Sequence, residues 1–203
     1  MSSMNAMNIE DDSYIDHLQT IREEEQKLVG RLIQERLYLG DALRIDALTG
    51  LHNRKIIPKI RDIGTVVMCD VDDFKTVNDT FGHLTGDKTL QTLGRIIADN
   101  IRIGDVGIRY GGDEFLIVFT TDKKEVIDAR MKKIAADLNR ELHLPDYRVT
   151  LSIGVAFNTE IEKLEALIRK ADAAAYYSKQ NGKDQITYYD QMGKEKTKKE
   201  DFQ

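Results

Sequence analysis

The sequence predicts an α/β protein in which helices pack on a mixed sheet that contains antiparallel strands, preceded by one long helix. Apolar runs typical of strands alternate with stretches of helical spacing along residues 46–190. Two of those runs flank a Gly-Gly turn, which predicts a hairpin near the middle of the domain. A hairpin combined with helices between the other strands favours this layered α/β arrangement.

Composition limits the classes of function. The 203 residues are 41% hydrophobic and 32% charged, as expected for a soluble globular domain with a long exposed helix. The net charge of −5 gives no overall attraction to nucleic acid or to an anionic membrane, so any phosphate must bind at a local site. A single cysteine, Cys69, favours a reducing compartment, and no apolar stretch approaches the ~20 residues of a membrane helix. We expect a cytoplasmic protein.

Residues 1–45 carry no catalytic pattern. Residues 1–10 are expected to be disordered. Residues 11–45 have helical spacing, with the possible a and d positions of a coiled coil at Leu18, Ile21, Glu25, Leu28, Leu32, Glu35, Leu39 and Ala42. The two glutamates interrupt the apolar seam, so the segment is either a parallel dimerising coiled coil or one amphipathic helix packed on its own domain. Its length and charge favour the coiled coil.

Residues 46–61 are predicted to join this helix to the domain. Gly50 can end the long helix, and Asn53 can cap a further helix that reaches about Arg61. The same pattern is also consistent with a simple cap-and-turn linker.

The segment Gly64–Val71 reads as a buried strand that delivers a carboxylate to the edge of the sheet. Asp70 stands near the end of this strand, and Asp72 and Asp73 follow it. Three acids in four residues repel one another unless a cation is present, which indicates a metal site.

Two helices are predicted next, Phe74–Phe81 and about Thr85–Ile101. Asn78 lies on the first and Asp87 near the start of the second. Taken alone, both are most simply interpreted as cap residues, and Asp87 as an ordinary acid in the first turn of its helix.

The hairpin spans Ile108–Phe119, and its turn contains Gly111, Gly112, Asp113 and Glu114. Carboxylates at the tip of a rigid hairpin could hold Mg²⁺ against phosphate oxygens, and glycines allow a phosphate to approach the backbone. A plain acidic turn is the alternative. The later elements are predicted as helix Lys123–Leu142, strand Tyr147–Phe157, helix Ile161–Gln180, strand Gln185–Tyr189 and a disordered charged tail over residues 191–203.

The segment Arg109–Phe115 (RYGGDEF) resembles the signature of the GGDEF family of diguanylate cyclases. Four further segments share the resemblance: DALTGLHNR at 46–54, CDVDDFK at 69–75, FGHLTGD at 81–87 and ADAAAYYSK at 171–179. Ala175 and Ser178 depart from the last pattern, but both residues are small. The resemblance implies the palm-like nucleotidyl cyclase fold over residues 46–190. It also implies a homodimer that condenses two GTP into cyclic di-GMP and pyrophosphate with Mg²⁺ or Mn²⁺.

The resemblance also implies roles for individual residues. Catalysis would rest on Asp70, Lys75, Asp113 and Glu114. The metal ligands would be Asp70, the Val71 carbonyl, Asp113 and Glu114. Guanine would be held by Asn78 and Asp87, and the phosphates by Lys75, Gly111, Gly112, Lys179 and Lys183. Arg102 and Asp105 match the family's RxxD site for inhibition by the product, since five residues separate Asp105 from Gly111.

Some of these matches also have ordinary explanations. Lys179 and Lys183 could simply be cations at a helix C-terminus. Arg102 and Asp105 could belong to an ordinary helix end and turn.

Competing functions are a non-catalytic cyclic di-GMP receptor, a cyclase that also accepts ATP, and a scaffold that acts through its coiled coil. The intact acids Asp70, Asp113 and Glu114 and the intact Lys75 favour the enzyme. No sensory domain is visible, because the segment before the domain is only a helix, and this sequence does not identify what controls the coiled coil. An unidentified sensory partner is one candidate.

Overall fold

The computed structural model describes residues 17, 20–32, 40 and 43–192. The chain divides into two compact units, Met1–Leu43 and Arg44–Gln203. In the first unit, residues 20–32 are helical and exposed. The predicted disordered N-terminus, residues 193–203 of the predicted tail and four of the proposed a and d positions (Leu18, Glu35, Leu39 and Ala42) lie outside the described residues.

The second unit is built on one six-stranded mixed sheet, as predicted. Its strands are β1 (His52–Asn53), β2 (Thr65–Val71), β3 (Val106–Arg109), β4 (Glu114–Phe119), β5 (Leu151–Phe157) and β6 (Gln185–Tyr188). The spatial order is β1-β3-β4-β2-β5-β6. The central strand β2 is antiparallel to both β4 and β5, whereas β1 with β3 and β5 with β6 are parallel pairs. The hairpin of β3 and β4 is confirmed, while β1 was not predicted.

Over residues 44–192, four α-helices and two short 3₁₀ helices complete the unit. The α-helices are α1 (Phe74–Phe81), α2 (His83–Asn100), α3 (Lys124–Glu141) and α4 (Leu164–Gln180). The helix expected to reach Arg61 is a 3₁₀ helix, Arg54–Lys59, in which Pro58 removes a backbone donor. Asn53 caps it as predicted, because its side chain accepts the Lys55 N–H. The predicted strand start at Tyr147 is wrong, since β5 begins at Leu151.

The helices cover both faces of the sheet. Val66 and Met68 of β2 pack with α4, while Val67 and Cys69 pack with α2 and α3. Every residue of β2 is therefore buried, which explains its continuous apolar run. The Cys69 thiol is fully buried, and burial together with the neighbouring charge of Asp70 raises its pKa to about 12. Cys69 is therefore a structural thiol.

Over residues 20–32 and 43–192, the helices are too short or too polar to cross a membrane.

Candidate active site

The end of β2 meets the turn of the β3–β4 hairpin, as predicted. Asp70 lies opposite Glu114 in the antiparallel register of β2 and β4. The next residue, Val71, donates its backbone N–H to the Asp113 carbonyl over 3.2 Å. The pairing of these two strands therefore gathers the three predicted carboxylates at one edge of the sheet.

Asp70 is buried without full compensation of its charge. The residue is 5% exposed, and its Oδ2 lies 2.6 Å from the Lys179 ammonium. Its Oδ1 is buried and accepts no hydrogen bond from any described residue. Burial is the main cause that raises the pKa of Asp70 to about 6. The hydrogen bond and charge of Lys179 oppose this rise, whereas the negative charges of Asp113 and Glu114 increase it. This carboxylate lacks a positive partner at one oxygen.

The carboxylate oxygens at this site suit a hard divalent cation as ligands. Mg²⁺ prefers oxygen ligands and is usually held by one or two carboxylates together with substrate phosphates and water. A cavity of about 90 Å³ borders Asp70, Glu114 and Lys179, which is room for a few water molecules. Within the described residues, no three His, Cys, Asp or Glu side chains form a ready metal cage. The residues therefore fit a cation that arrives with its own additional oxygen ligands.

The hairpin turn is shaped by Glu114. Its backbone carbonyl accepts the N–H groups of Tyr110 and Gly111 over 2.9 and 3.2 Å. A Cβ on Gly111 would overlap the carboxylate end of the Glu114 side chain, which would have to move aside. A Cβ on Gly112 would meet no atom of the described residues within 4 Å. Gly112 thus leaves an open surface beside the carboxylates.

Arg109 fastens the turn to the start of the domain. Its Nε and Nη2 donate to the Gly112 carbonyl over 3.1 and 2.8 Å, and its Nη1 lies 3.3 Å from Asp46. Asp46 also accepts the N–H and the hydroxyl of Thr49. Burial opposes its charge, but these hydrogen bonds and Arg109 leave the pKa of Asp46 below its usual value. No sequence pattern predicted this contact of Arg109, although the residue belongs to the signature segment Arg109–Phe115.

Asp72 corrects the expectation that three neighbouring acids all need a cation. Its carboxylate accepts the hydroxyls of Thr150 and Ser152 over 2.7 and 2.6 Å and the Asp184 N–H over 3.1 Å. The residue is only 3% exposed. Three donors satisfy its charge, so Asp72 fixes the end of β2 to β5 and to the loop before β6.

The predicted phosphate-binding lysines lie at this end of the sheet in different surroundings. Lys179 contacts Asp70. Burial alone would lower the pKa of Lys179, but the hydrogen bond and negative charge of Asp70 outweigh burial and raise it. Lys183 forms an ion pair with Asp73, the third acid of the segment, and neutralises its charge. Lys75 is exposed in the first turn of α1.

The proposed guanine residues lie on α1 and α2. The Asn78 side chain occupies the space in which a Cβ of Gly86, the residue before Asp87 in the sequence, would lie. Asp87 is exposed and is the fifth residue of α2, whose first turn contains no acid. The alternative of a first-turn acid is therefore wrong. The amide of Asn78 and the carboxylate of Asp87 are groups that could pair with the donors of a guanine base.

Arg102 and Asp105 lie in the turn between α2 and β3. The Asp105 carboxylate accepts the Arg102 N–H over 3.0 Å and both the N–H and the hydroxyl of Thr120. The Arg102 side chain is exposed. Asp105 thus has a structural function that needs no ligand, while the Arg102 guanidinium faces solvent.

A carboxylate-bearing hairpin turn lies beside a buried aspartate on a mixed sheet covered by helices, which agrees with the palm-like nucleotidyl cyclase fold that the sequence resemblance implies. Residues 43–185 match the family described as "Diguanylate cyclase, GGDEF domain". This match covers more than half of the chain, so the chain belongs to the GGDEF family.

Relatives and solved structures agree with this assignment. Diguanylate cyclase A of Treponema denticola is 35% identical over 127 residues, covering 61% of this chain and 34% of that protein. The coiled coil and GGDEF domain of DgcB from Caulobacter crescentus, solved with c-di-GMP, matches 84% of this chain and 98% of that chain at 26% identity and a TM-score of 0.72. Diguanylate cyclase SiaD from Pseudomonas aeruginosa, solved with its activator SiaC, matches 90% of this chain and 76% of that chain at 25% identity and a TM-score of 0.70. The chain spans about a third of the length of the curated relatives it matches.

Proposed function

We propose that this chain is a diguanylate cyclase, which condenses two GTP into cyclic di-GMP and two pyrophosphates. The buried, unpartnered Oδ1 of Asp70 opposite Glu114 is the observation that carries the proposal. A carboxylate oxygen without a donor is costly in the folded protein unless a ligand satisfies it. A cation that arrives with a nucleoside triphosphate would supply the missing partner of this oxygen.

Each step joins the 3′-oxygen of one GTP to the α-phosphorus of the other and breaks the bond to pyrophosphate. Asp70, the Val71 carbonyl, Asp113 and Glu114 would hold Mg²⁺ or Mn²⁺ at the α-phosphate. When bound, the metal ions lower the pKa of the attacking hydroxyl and neutralise charge on the phosphates.

Binding and orientation come from the chain's other groups. Lys75, Lys179 and Lys183 would hold the β- and γ-phosphates. The turn at Gly111 and Gly112, whose surface is open at Gly112, would admit them. Lys179 already lies 2.6 Å from Asp70, so its charge would be shared between the carboxylate and the incoming phosphates.

Asn78 and Asp87 would select guanine. A carboxylate can accept the N1–H and the N2 amine of guanine, whereas adenine presents a different edge. Adenine would leave an acceptor oxygen of this site without a donor, so the site would reject adenine.

Two active sites must face each other, because the product has two equivalent halves and one domain presents one GTP. The N-terminal helix would bring two domains together as a coiled coil and raise their local concentration. Within its described part, Ile21, Leu28 and Leu32 of the proposed seam are 40%, 53% and 56% exposed. Such exposure is consistent with a partner helix that covers them.

Control is proposed at two levels. Cyclic di-GMP bound to Arg102 and Asp105 would restrain the enzyme, since a guanidinium suits both a guanine edge and a phosphate. A separate activator protein would supply the second level of control, since the similar cyclase SiaD was solved in complex with its activator SiaC.

Chromatography of the nucleotides after incubation of the full chain with GTP and Mg²⁺ tests the proposal. We expect cyclic di-GMP from the parent and none from Asp113→Ala. Gel filtration and circular dichroism of both proteins are the control for folding and dimerisation. Absence of product from a folded, dimeric parent that still binds cyclic di-GMP would overturn the cyclase in favour of a receptor.

A further inference from the structure

Asp73 stands at the N-cap of α1 but does not cap it. Its backbone lies in the left-handed region at φ 51°, and its side chain makes no capping hydrogen bond to the described helix. Aspartate at this position usually accepts an N–H of the first turn, a contact worth roughly 1 kcal/mol. The carboxylate of Asp73 is used elsewhere.

Both oxygens of Asp73 hold the Lys183 ammonium, at 2.7 and 2.8 Å. Lys183 also has a left-handed backbone, at φ 59°, between Gly182 at φ 112° and Asp184 at φ 45°. Left-handed non-glycine residues are uncommon and carry a conformational cost. Two such segments therefore meet through one ion pair.

The groups around Lys183 leave Asp73 as its exchangeable partner. Asp72 also acts on Lys183 through its charge, but its carboxylate is occupied by two hydroxyls and a backbone N–H. The phenol of Tyr147 faces the same pair, and burial and the charge of Asp73 raise its pKa. The side chains of Lys183 and Asp73 are 40% and 51% exposed. Ion pairs with this much exposure are weak and are readily exchanged.

We propose that the Asp73 carboxylate occupies the phosphate position on Lys183 in the resting protein and competes there with the triphosphate of GTP. This inference rests on the proposed function, because that function gives Lys183 its phosphate. A carboxylate that offers two oxygens to one ammonium imitates the oxygen pair of a phosphate. A triphosphate carries more negative charge, so it displaces Asp73 and binds with an affinity reduced by that exchange. Position 73 lies between the motif residues Asp72 and Phe74, so the device belongs to this chain rather than to its family signature.

Binding of a GTP analogue with an uncleavable α–β bridge, measured by calorimetry on the full chain with Mg²⁺, tests this inference. Asp73→Asn keeps the shape of the side chain and removes its charge. We expect about two- to fivefold tighter binding, the range that an exposed ion pair supports. Asp62→Asn is the matched control, because it makes the same charge change at an exposed acid before the opposite end of β2, and it should bind like the parent.

The contribution of Lys183 is separated by a double-mutant cycle. Lys183→Met should weaken binding, and adding Asp73→Asn to Lys183→Met should then change affinity less than about 1.5-fold. Asp73→Glu should restore the parent's affinity. If Asp73→Asn tightened binding equally with and without Lys183, the effect would be general charge repulsion. If Asp73→Asn weakened binding, Asp73 would be a positioning residue. Either result overturns the proposal.

Failure of the inference and failure of the function are distinguishable. A parent that binds the analogue but forms no cyclic di-GMP would refute the cyclase while the binding series still decides the role of Asp73. A parent that forms cyclic di-GMP, with an Asp73→Asn variant that binds no more tightly, would refute the inference alone. A parent that does not bind the analogue would refute both.

Discussion

Asp70 and Asp72 are nearly fully buried carboxylates two residues apart at the end of β2, with 5% and 3% exposure. Asp72 accepts three hydrogen bonds from β5 and the loop before β6. Asp70 has one contact, to Lys179, and its second oxygen accepts nothing from the described residues. Burial alone therefore does not mark a functional acid. The unsatisfied oxygen does, because it indicates a partner that the folded chain does not supply.

The largest expected contrast is in activity. Asp70→Asn should lower the rate of cyclic di-GMP formation at least about a hundredfold, because it removes a charge that would hold the metal. Its free energy of unfolding should be unchanged or higher, since the buried charge is no longer present. Product chromatography and urea unfolding of the same preparations measure both quantities. If Asp70→Asn lowered the free energy of unfolding by as much as removal of the Asp72 carboxylate, the proposed difference between the two acids would be contradicted.

The second contrast is in stability. Asp72→Ala leaves the Thr150 and Ser152 hydroxyls and the Asp184 N–H without their acceptor, so the free energy of unfolding should fall by about 3–4 kcal/mol. Urea unfolding is the measurement. In a background with Thr150→Val and Ser152→Ala, the same substitution should cost clearly less. Full additivity would contradict the network.

The third contrast is in pH dependence without metal. The folded pKa of Asp70, about 6, exceeds its ordinary value of 3.8, so the folded state takes up this proton first as pH falls. The charged group costs stability above pH 6, and that cost disappears as pH falls from about 6 to about 4. The parent should therefore gain on the order of 2–3 kcal/mol relative to Asp70→Asn over this window. Urea midpoints whose difference stays constant across it would contradict the burial of an uncompensated charge.

The smallest contrast extends the comparison to the turn at Arg102. Asp105→Asn should lower the free energy of unfolding by about 1 kcal/mol, because the Asp105 carboxylate accepts from Arg102 and Thr120. Arg102→Ala should stay within about 0.5 kcal/mol of the parent, since its side chain is exposed. Both variants should lose inhibition by added cyclic di-GMP in initial-rate assays. Retained inhibition in both would remove the proposed product site.

Much of the fold follows from local patterns in the sequence. The alternation and apolar runs of β2 and the β3–β4 hairpin, and the helical spacing of α2 and α4, are long enough to predict these elements to within a few residues. Strand β1 is two residues long and has no periodicity to detect. The start of β5 was misplaced because residues 147–150 continue an alternating pattern without joining the ladder.

The site was predictable in its acids but not in their partners. Asp72 meets hydroxyls 78 and 80 residues later, Arg109 meets Asp46 across 63 residues, and Lys183 meets Asp73 across 110. No local pattern encodes such contacts. A run of three acids looks like one metal site in the sequence, and only the folded chain separates the satisfied acids from the unsatisfied one.

Metal binding tests the distinction between Asp70 and Asp72 most directly. Mn²⁺ can be titrated by electron paramagnetic resonance into the full chain with the uncleavable GTP analogue, for the parent, Asp70→Asn and Asp72→Asn. The account predicts nucleotide-dependent Mn²⁺ binding by the parent and by the folded fraction of Asp72→Asn, and its loss in Asp70→Asn. Undiminished binding by Asp70→Asn, or equal loss in both variants, would contradict it.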